Sequence, residues 1–245
     1  MIENGYEKNI DVKYSEMDFD KGLKPYSLLN YFQDAASENA EKWGFGYSYI
    51  TQKNLMWVLL KYRIEFNKYP VGIYNLKLKT EPRGYNKLFA YRDFELYSNN
   101  ELLCRASSMW SLIDITNKSL APPGESLNNP HMVKHEKKED DLSFGKIPQI
   151  EKADIQKEFE VRYNDLDVNH HANNGNYIVW ALEPLEYSFK ENHKPKTIDM
   201  IFKKEAKYQD NIISQVQFLD KLTTVHTIKN AQTNEDLCLF QCEWK

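Results

Sequence analysis

The chain has 245 residues, 41% of them hydrophobic and 28% charged, enough for one large globular domain or two of about 120 residues each. A net charge of −4 argues against a protein that coats nucleic-acid phosphates with Lys and Arg, and no run of about 18 apolar residues is available to span a membrane. Three cysteines, Cys104, Cys238 and Cys242, are too few for a disulfide framework, and the opening MIENGYEKNIDVKY has neither the basic nor the apolar region of a signal peptide; both point to a reduced, cytoplasmic protein.

In chain order, VKYSEMDFDKG (Val12–Gly22) comes first. PYSLLNYFQDAASENAEKWG then places Leu28, Leu29, Phe32, Ala35, Ala36, Ala40 and Trp43 on one helical stripe, with Pro25 suited to the first turn and Gly44 to the stop. MWVLLKYRIEF, YNLKLKTEP, LFAYRDFELY and ELLCRASSMWSLIDI alternate as strands do, and Ser98-Asn99-Asn100 turns the last two into a hairpin. From Pro122 the prolines, mixed charges and sparse apolar residues read as linker, with HEKKEDD a solvated tether. After VRYNDLDVNHH (Val161–His171), NYIVWALEPLEYSF predicts a helix that Pro184 ends or interrupts. TIDMIFKKEAKY, NIISQVQFLDK, TTVHTIKN and DLCLFQCEW again read as strands. Each half is therefore one helix followed by antiparallel strands: residues 1–123, a linker over 124–154, and residues 155–245. The fold class is α+β.

The halves repeat each other. At an offset of 149 residues, Val12, Lys13, Tyr14, Glu16, Met17 and Asp18 meet Val161, Arg162, Tyr163, Asp165, Leu166 and Asp167. ELLCRASSMW and EDLCLFQCEW close the two halves with Glu, Leu, Cys and Trp at the same relative positions. Shared positions suit architecture, whereas chemistry can survive in one copy alone. The copies part at Asn169 and His171, where the first half has Asp20 and Gly22. Asp167 has its match in Asp18, so a turn cap and a catalytic role are both open to it.

The run DLDVNHHANNGNYIVWALE resembles the D-L-D-x-N-x-H-x-N-N-x-x-Y-x-x-W-x-x-E signature of acyl-ACP thioesterases, enzymes that release fatty acids from acyl carrier protein. NLMWVLLKYRIEFNKYP, YRDFELYSNNELLCRASSMWSLIDITNKSLAPP and IDMIFKKEAKYQDNIIS are similar to three further family segments, in the same order, over most of the chain. The resemblance implies a tandem hotdog fold, each half an antiparallel sheet wrapped around a helix, and catalytic residues at Asp167, Asn169, His171 and Glu205. Many plant members follow that glutamate with a cysteine; here Ala206 stands there, which makes water the simpler nucleophile.

Thioester hydrolysis needs an activated water and something to receive charge on the carbonyl oxygen. Either His171 or Glu205, which reaches in from a facing strand, can be the base, and Glu205 can also share the role or orient the imidazole; Asn169 can hold water or carbonyl. A helix beginning near Asn173 or Asn174 would add free N–H groups. Leu28, Phe32, Ala35 and Ala36 of the first helix, with Met56 and Trp57 opposite, are the expected lining of an acyl tunnel. No cofactor is expected. The implied partner is acyl carrier protein, with Lys61, Arg63, Arg83, Lys203, Lys204 and Lys207 as candidate contacts, and the protein a monomer or homodimer. A binding-only acyl protein and an acyl-CoA thioesterase are the alternatives. His170 with His171, Asp165 and Asp167 invites a metal, but neighbouring side chains in an extended loop point apart. His131, His135, His193 and His226 read as surface or strand residues. The absence of G-x-S-x-G, G-x-G-x-x-G and Walker A sequences excludes those mechanisms.

Overall fold

The stripe predicted over residues 25–44 forms helix α1 (Pro25–Lys42), with Pro25 in its first turn and Gly44 just beyond it at φ +75°, a left-handed conformation that suits glycine. The computed structural model describes residues 2 and 5–245. Strand β1 (Tyr6–Asp11) precedes α1; the short α2 (Tyr47–Gln52), β2 (Leu55–Phe66), β3 (Asn75–Asn86), β4 (Phe89–Ser98), β5 (Glu101–Asp114), β6 (Ser119–Ala121) and α3 (Pro123–Leu127) follow it. The second half contains β7 (Ile155–Glu160), α4 (Asn174–Leu182), α5 (Tyr187–Asn192), β8 (Pro195–Phe202), β9 (Asn211–Asp220), β10 (Thr223–Asn230) and β11 (Asp236–Trp244). None of these helices is long and apolar enough to cross a membrane.

All the strands join one antiparallel sheet in the order β1-β3-β4-β5-β2-β8-β11-β10-β9-β7, with β6 on the end of β5. The halves meet where β2 pairs β8, in a register that sets Arg63 opposite Asp199, and their side chains form an ion pair at 2.5 Å. Each helix packs into the curve of its own half, and α1 and α4 touch. A Cβ on Gly175 would come within 3.0 Å of the Tyr26 ring and 2.9 Å of Asn30 Oδ1, so any larger residue there would have to displace side chains of α1. One apolar core runs through both halves, from Phe32 stacked on Phe94 at 4.7 Å to Trp180, Phe240 and Trp244.

Three sequence expectations differ from the fold. The edge strands β1 (YEKNID) and β7 (IQKEFE) are not among the expected strands: half the residues of each are charged and at least half are exposed, so the hydrophobic alternation is weak. Strand β8 stops at Phe202, not Tyr208: the N–H groups of Lys203 and Lys204 both turn to the Leu237 carbonyl, and residues 203–210 leave the sheet. The connecting segment is more than a tether. Leu127 and Met132 are buried in a core that also holds Phe45 and Ile50, and Arg83 pairs with Asp141 at 3.1 Å.

His226, read as a surface or strand residue, lies in β10 with 1% of its surface exposed. Trp244 Nε1 donates to Thr224 Oγ1 (2.9 Å), the hydroxyl lies 2.8 Å from His226 Nε2, and His226 Nδ1 lies 2.7 Å from the Ala181 carbonyl. This relay holds a neutral imidazole protonated on Nδ1. Burial lowers its pKa to about 3. The folded chain thus binds this proton far less readily than the unfolded chain, so stability is full above the unfolded value near 6.5 and falls as pH drops towards 3. Denaturant titrations between pH 7 and pH 4 should show this group contributing a loss of up to about 1.4 kcal/mol per pH unit. His226→Asn, unable to take up the proton, should flatten that slope; an unchanged slope would exclude the imidazole as its source.

Candidate active site

The repeated stretch folds twice into the same loop. In the second half, Asp167 N–H donates to the His171 carbonyl (2.7 Å), while its carboxylate Oδ1 accepts from the N–H groups of Asn169 (2.8 Å) and His171 (3.3 Å). In the first, Asp18 makes the same bonds with Gly22 (2.8 Å from its N–H), Asp20 (2.9 Å) and the Gly22 N–H (2.7 Å). Lys21 and His170 occupy the same left-handed position, at φ 58° and 64°. The carboxylates of Glu16 and Asp165 likewise accept from the N–H groups of Lys13 and Arg162. These bonds give the shared acids a structural reason: they satisfy loop donors that have no partner in the sheet. Asp167 thus holds the turn that presents Asn169 and His171.

The loop then meets residues 205–207. Ala172 N–H donates to the Ala206 carbonyl at 2.9 Å, and His171 bridges Lys207. This brings His171 Nδ1 to 3.2 Å from Glu205 Oε2, although off the line of a well-formed hydrogen bond. Glu205 lies in the connection after β8, not on the strand itself, and its side chain is 46% exposed against 27% for His171. In the first half the equivalent bond runs from Leu23 N–H to the Pro70 carbonyl, which puts Tyr69 where Glu205 stands and Gly22 where His171 stands. Helix α4 begins at Asn174 with Asn173 as its cap: the Asn173 side chain accepts from Gly175 N–H (2.8 Å), and its carbonyl accepts from Asn176 N–H. Two of the helix-start donors expected to face the site are therefore already engaged.

A cavity of about 470 Å³ runs from this loop into the first half. Asp167, Val168, Asn169 and Asn173 form its end at the loop; Ala36 and Ala40 of α1 face Met56, Trp57 and Trp110 deeper in. Of the residues expected to line it, Ala36, Met56 and Trp57 do so. Leu28, Phe32 and Ala35 do not: at 2%, 0% and 0% exposure they sit on the face of α1 that packs against the sheet. The helix divides its small residues between two jobs, and periodicity alone does not say which alanine faces the void. His171 and Glu205 stand beside the cavity end without lining it.

Tyr177 was not singled out from the sequence. Its hydroxyl accepts from Ala206 N–H (2.8 Å) and lies 3.3 Å from the Lys204 carbonyl, so one phenol ties down the backbone on both sides of Glu205. Burial pushes its pKa up, which keeps the phenol a donor. The signal was available: at the repeat offset Tyr177 falls on Leu28, so here, as at His171 against Gly22, the second copy carries a polar side chain where the first has none. The three cysteines are all free and buried, and burial raises each thiol pKa, so none is a ready nucleophile.

A helix wrapped by antiparallel strands, twice over, with one loop of the pair equipped with imidazole and carboxylate, defines a duplicated hotdog chain with a single furnished site. The same architecture is found in a 12:0-ACP thioesterase from Umbellularia californica (TM-score 0.87, 20% identity, covering 100% of this chain and 98% of that one). An acyl-ACP thioesterase from Bacteroides thetaiotaomicron gives TM-score 0.86 at 18% identity, covering 98% and 97%. The model of the acyl-ACP thioesterase N-terminal domain matches residues 3–125 and that of the C-terminal domain residues 149–245; the chain belongs to the acyl-ACP thioesterase family. Among curated relatives, a chloroplastic palmitoyl-acyl carrier protein thioesterase from Cuphea hookeriana is 26% identical over 82% of this chain and 52% of its own length. Oleoyl-acyl carrier protein thioesterase 2 of Arabidopsis thaliana is 25% identical over 93% and 65%. The chain spans about half the length of the first of these.

Replacing Tyr177 with Phe leaves the buried Ala206 N–H without its acceptor, a loss of about 1–3 kcal/mol. Thermal and denaturant unfolding should both register it; a variant as stable as the wild type would show that the 205–207 segment does not depend on this bond.

Proposed function

We propose that the protein hydrolyses the thioester of fatty acyl-[acyl carrier protein], releasing the fatty acid and the carrier, with water as the nucleophile. The 3.2 Å approach of His171 Nδ1 to Glu205, beside the end of an apolar cavity, carries the reading. With Nδ1 turned to the carboxylate, a neutral imidazole keeps its lone pair on Nε2, and Glu205 orients the ring. Water attacks the thioester carbonyl carbon as its proton passes to Nε2. The tetrahedral oxyanion then collapses, the C–S bond breaks, and the imidazolium returns the proton to the departing sulfur. The Asn169 amide, at the cavity end, steadies the carbonyl or the water. Asp167 acts through its loop bonds, and Ala206 supplies no thiol.

On this reading residues 1–123 hold the acyl chain, residues 155–245 supply the chemistry, and 124–154 link them. Ala36, Met56 and Trp57 border the chain. The carrier protein needs cations near the mouth. Arg63 and Arg83 are engaged with Asp199 and with Glu81, Asp93 and Asp141, and Lys203 and Lys204 with Asp236 and Glu235. Lys61 and Lys207 have no carboxylate within 4 Å among the described residues and are the better contacts. The buried, unpaired thiols support a reducing compartment such as the cytoplasm.

Free-thiol release from panels of acyl-ACP and acyl-CoA of several chain lengths tests the activity. Turnover should favour the carrier-bound series; turnover on CoA esters alone, or binding without turnover, would replace the proposal with an acyl-CoA thioesterase or a binding protein. His171→Ala should lower kcat by roughly 10²–10⁴-fold with the fold intact. In that background Gly22→His should restore nothing, because Tyr69 occupies the place of Glu205 and a Cβ at Gly22 would meet the Asp18 carboxylate at 2.8 Å.

A further inference from the structure

The repeat gives the cavity at the furnished loop a counterpart. Where α4 meets the loop of the first half, a second cavity of about 340 Å³ opens, bounded by Asp18, Phe19 and Lys24, the counterparts of Asp167, Val168 and Asn173. The imidazole and carboxylate of the other loop are absent from it. Gly22 stands for His171. Tyr69 stands for Glu205 and turns its hydroxyl inward to the Leu23 carbonyl (2.6 Å). Asp20 replaces Asn169 and is held with Asp18 by Lys194, at 3.2 and 3.5 Å. No side chain has grown in to fill the space.

What bounds that space is an apolar wall and an end of mixed charge, where Lys24, Lys190 and Lys194 meet Asp18 and Glu183. Ile178, Val179 and Leu182 of α4 line it with Trp244 and Tyr26, and the Phe19 and Tyr187 rings pack tilted against each other with centroids 4.8 Å apart. Lys24, Lys190 and Lys194 also border it. Lys194 is neutralised by two aspartates and Lys190 lies 4.0 Å from Glu183, whereas Lys24 donates to the Ser15 carbonyl and has no carboxylate within 4 Å among the described residues. Lys24 is also the cap residue of the 18-residue α1, whose positive dipole end adds to its charge. A carboxylate head group offers Lys24 the opposite charge that neither a cationic nor an uncharged amphiphile supplies.

We propose that this second cavity binds, without hydrolysing, a fatty carboxylate: the alkyl tail against α4 and Trp244, the carboxylate on Lys24. The site is separate from turnover at His171, so its fate in experiment does not depend on the activity proposed above.

Photolabelling of the full-length protein with a diazirine-bearing alkanoate, followed by peptide mapping by mass spectrometry, tests it. Label is expected on α4 and α5, around Val179, Leu182 and Tyr187, in addition to the cavity of the first half, and excess decanoate should compete it away at both places. Val179→Trp, which fills the second cavity from an exposed position on α4, should remove the α4–α5 label while leaving the other label and thiol release unchanged. Lys24→Gln should raise the probe concentration for half-labelling of α4–α5 by roughly 3–10-fold. The alcohol of the same chain length should label α4–α5 no better than it labels Lys24→Gln. Label confined to the first cavity, label on α4–α5 that Val179→Trp leaves in place, or equal labelling by acid and alcohol would each overturn the proposal.

Discussion

The backbone ladder between β2 and β8 is the constraint on which the rest of the molecule depends. Lys61 to Glu65 pair with Ile201 to Thr197, and this register fuses two half-sheets into one. It also sets their mutual orientation, so that each half's loop lies over the other half's helix: residues 167–173 meet the cavity beside α1, and residues 18–24 meet α4. A slip of one residue would turn every β8 side chain to the opposite face of the sheet. Arg63 and Asp199, directly opposed in that ladder, make the correct register electrostatically distinct from its neighbours.

Within that frame the two copies diverge in a consistent way. Backbone bonds were kept and side-chain chemistry was not. Asp18 and Asp167 make matching loop bonds, Leu23 and Ala172 donate to matching carbonyls, and Lys24 and Asn173 donate to the carbonyls of Glu16 and Asp165. On this scaffold the second half alone carries an imidazole, the opposing carboxylate and the phenol that fixes the carboxylate's backbone. Breaking a loop donor's bond would cost the fold at either end of the molecule. Exchanging a residue that projects from the loop leaves those backbone bonds in place, so the side-chain chemistry can differ while the loop is held.

Much of this was legible in the sequence because the signals were periodic or repeated. The helical stripe of α1 and the alternation of the central strands are properties of burial on one face, and the sequence records burial directly. The motif around His171 stood out because the chain carries its own control copy. What was lost depended on non-local pairing. The end of β8 at Phe202 follows from Leu237, far along the chain, and so Glu205 moved from a strand to a connection. The split of α1 between core and cavity depends on which residues face it across the sheet, a fact absent from Leu28, Phe32 and Ala35 themselves. The segment after Pro122 looked solvated because its few apolar residues are spaced without period, yet Leu127 and Met132 each fill a specific gap.

Joining the halves through β2 and β8 leaves β1 and β7 at the two ends of the sheet among the described residues. Each presents unpaired N–H and C=O groups along one side, a template on which another extended chain could add. Their weak hydrophobic pattern then has a protective value: the lysines and glutamates of YEKNID and IQKEFE make stacking a second molecule onto either margin electrostatically and sterically unfavourable. The feature that hid these strands from prediction is also what guards the protein against polymerising through them.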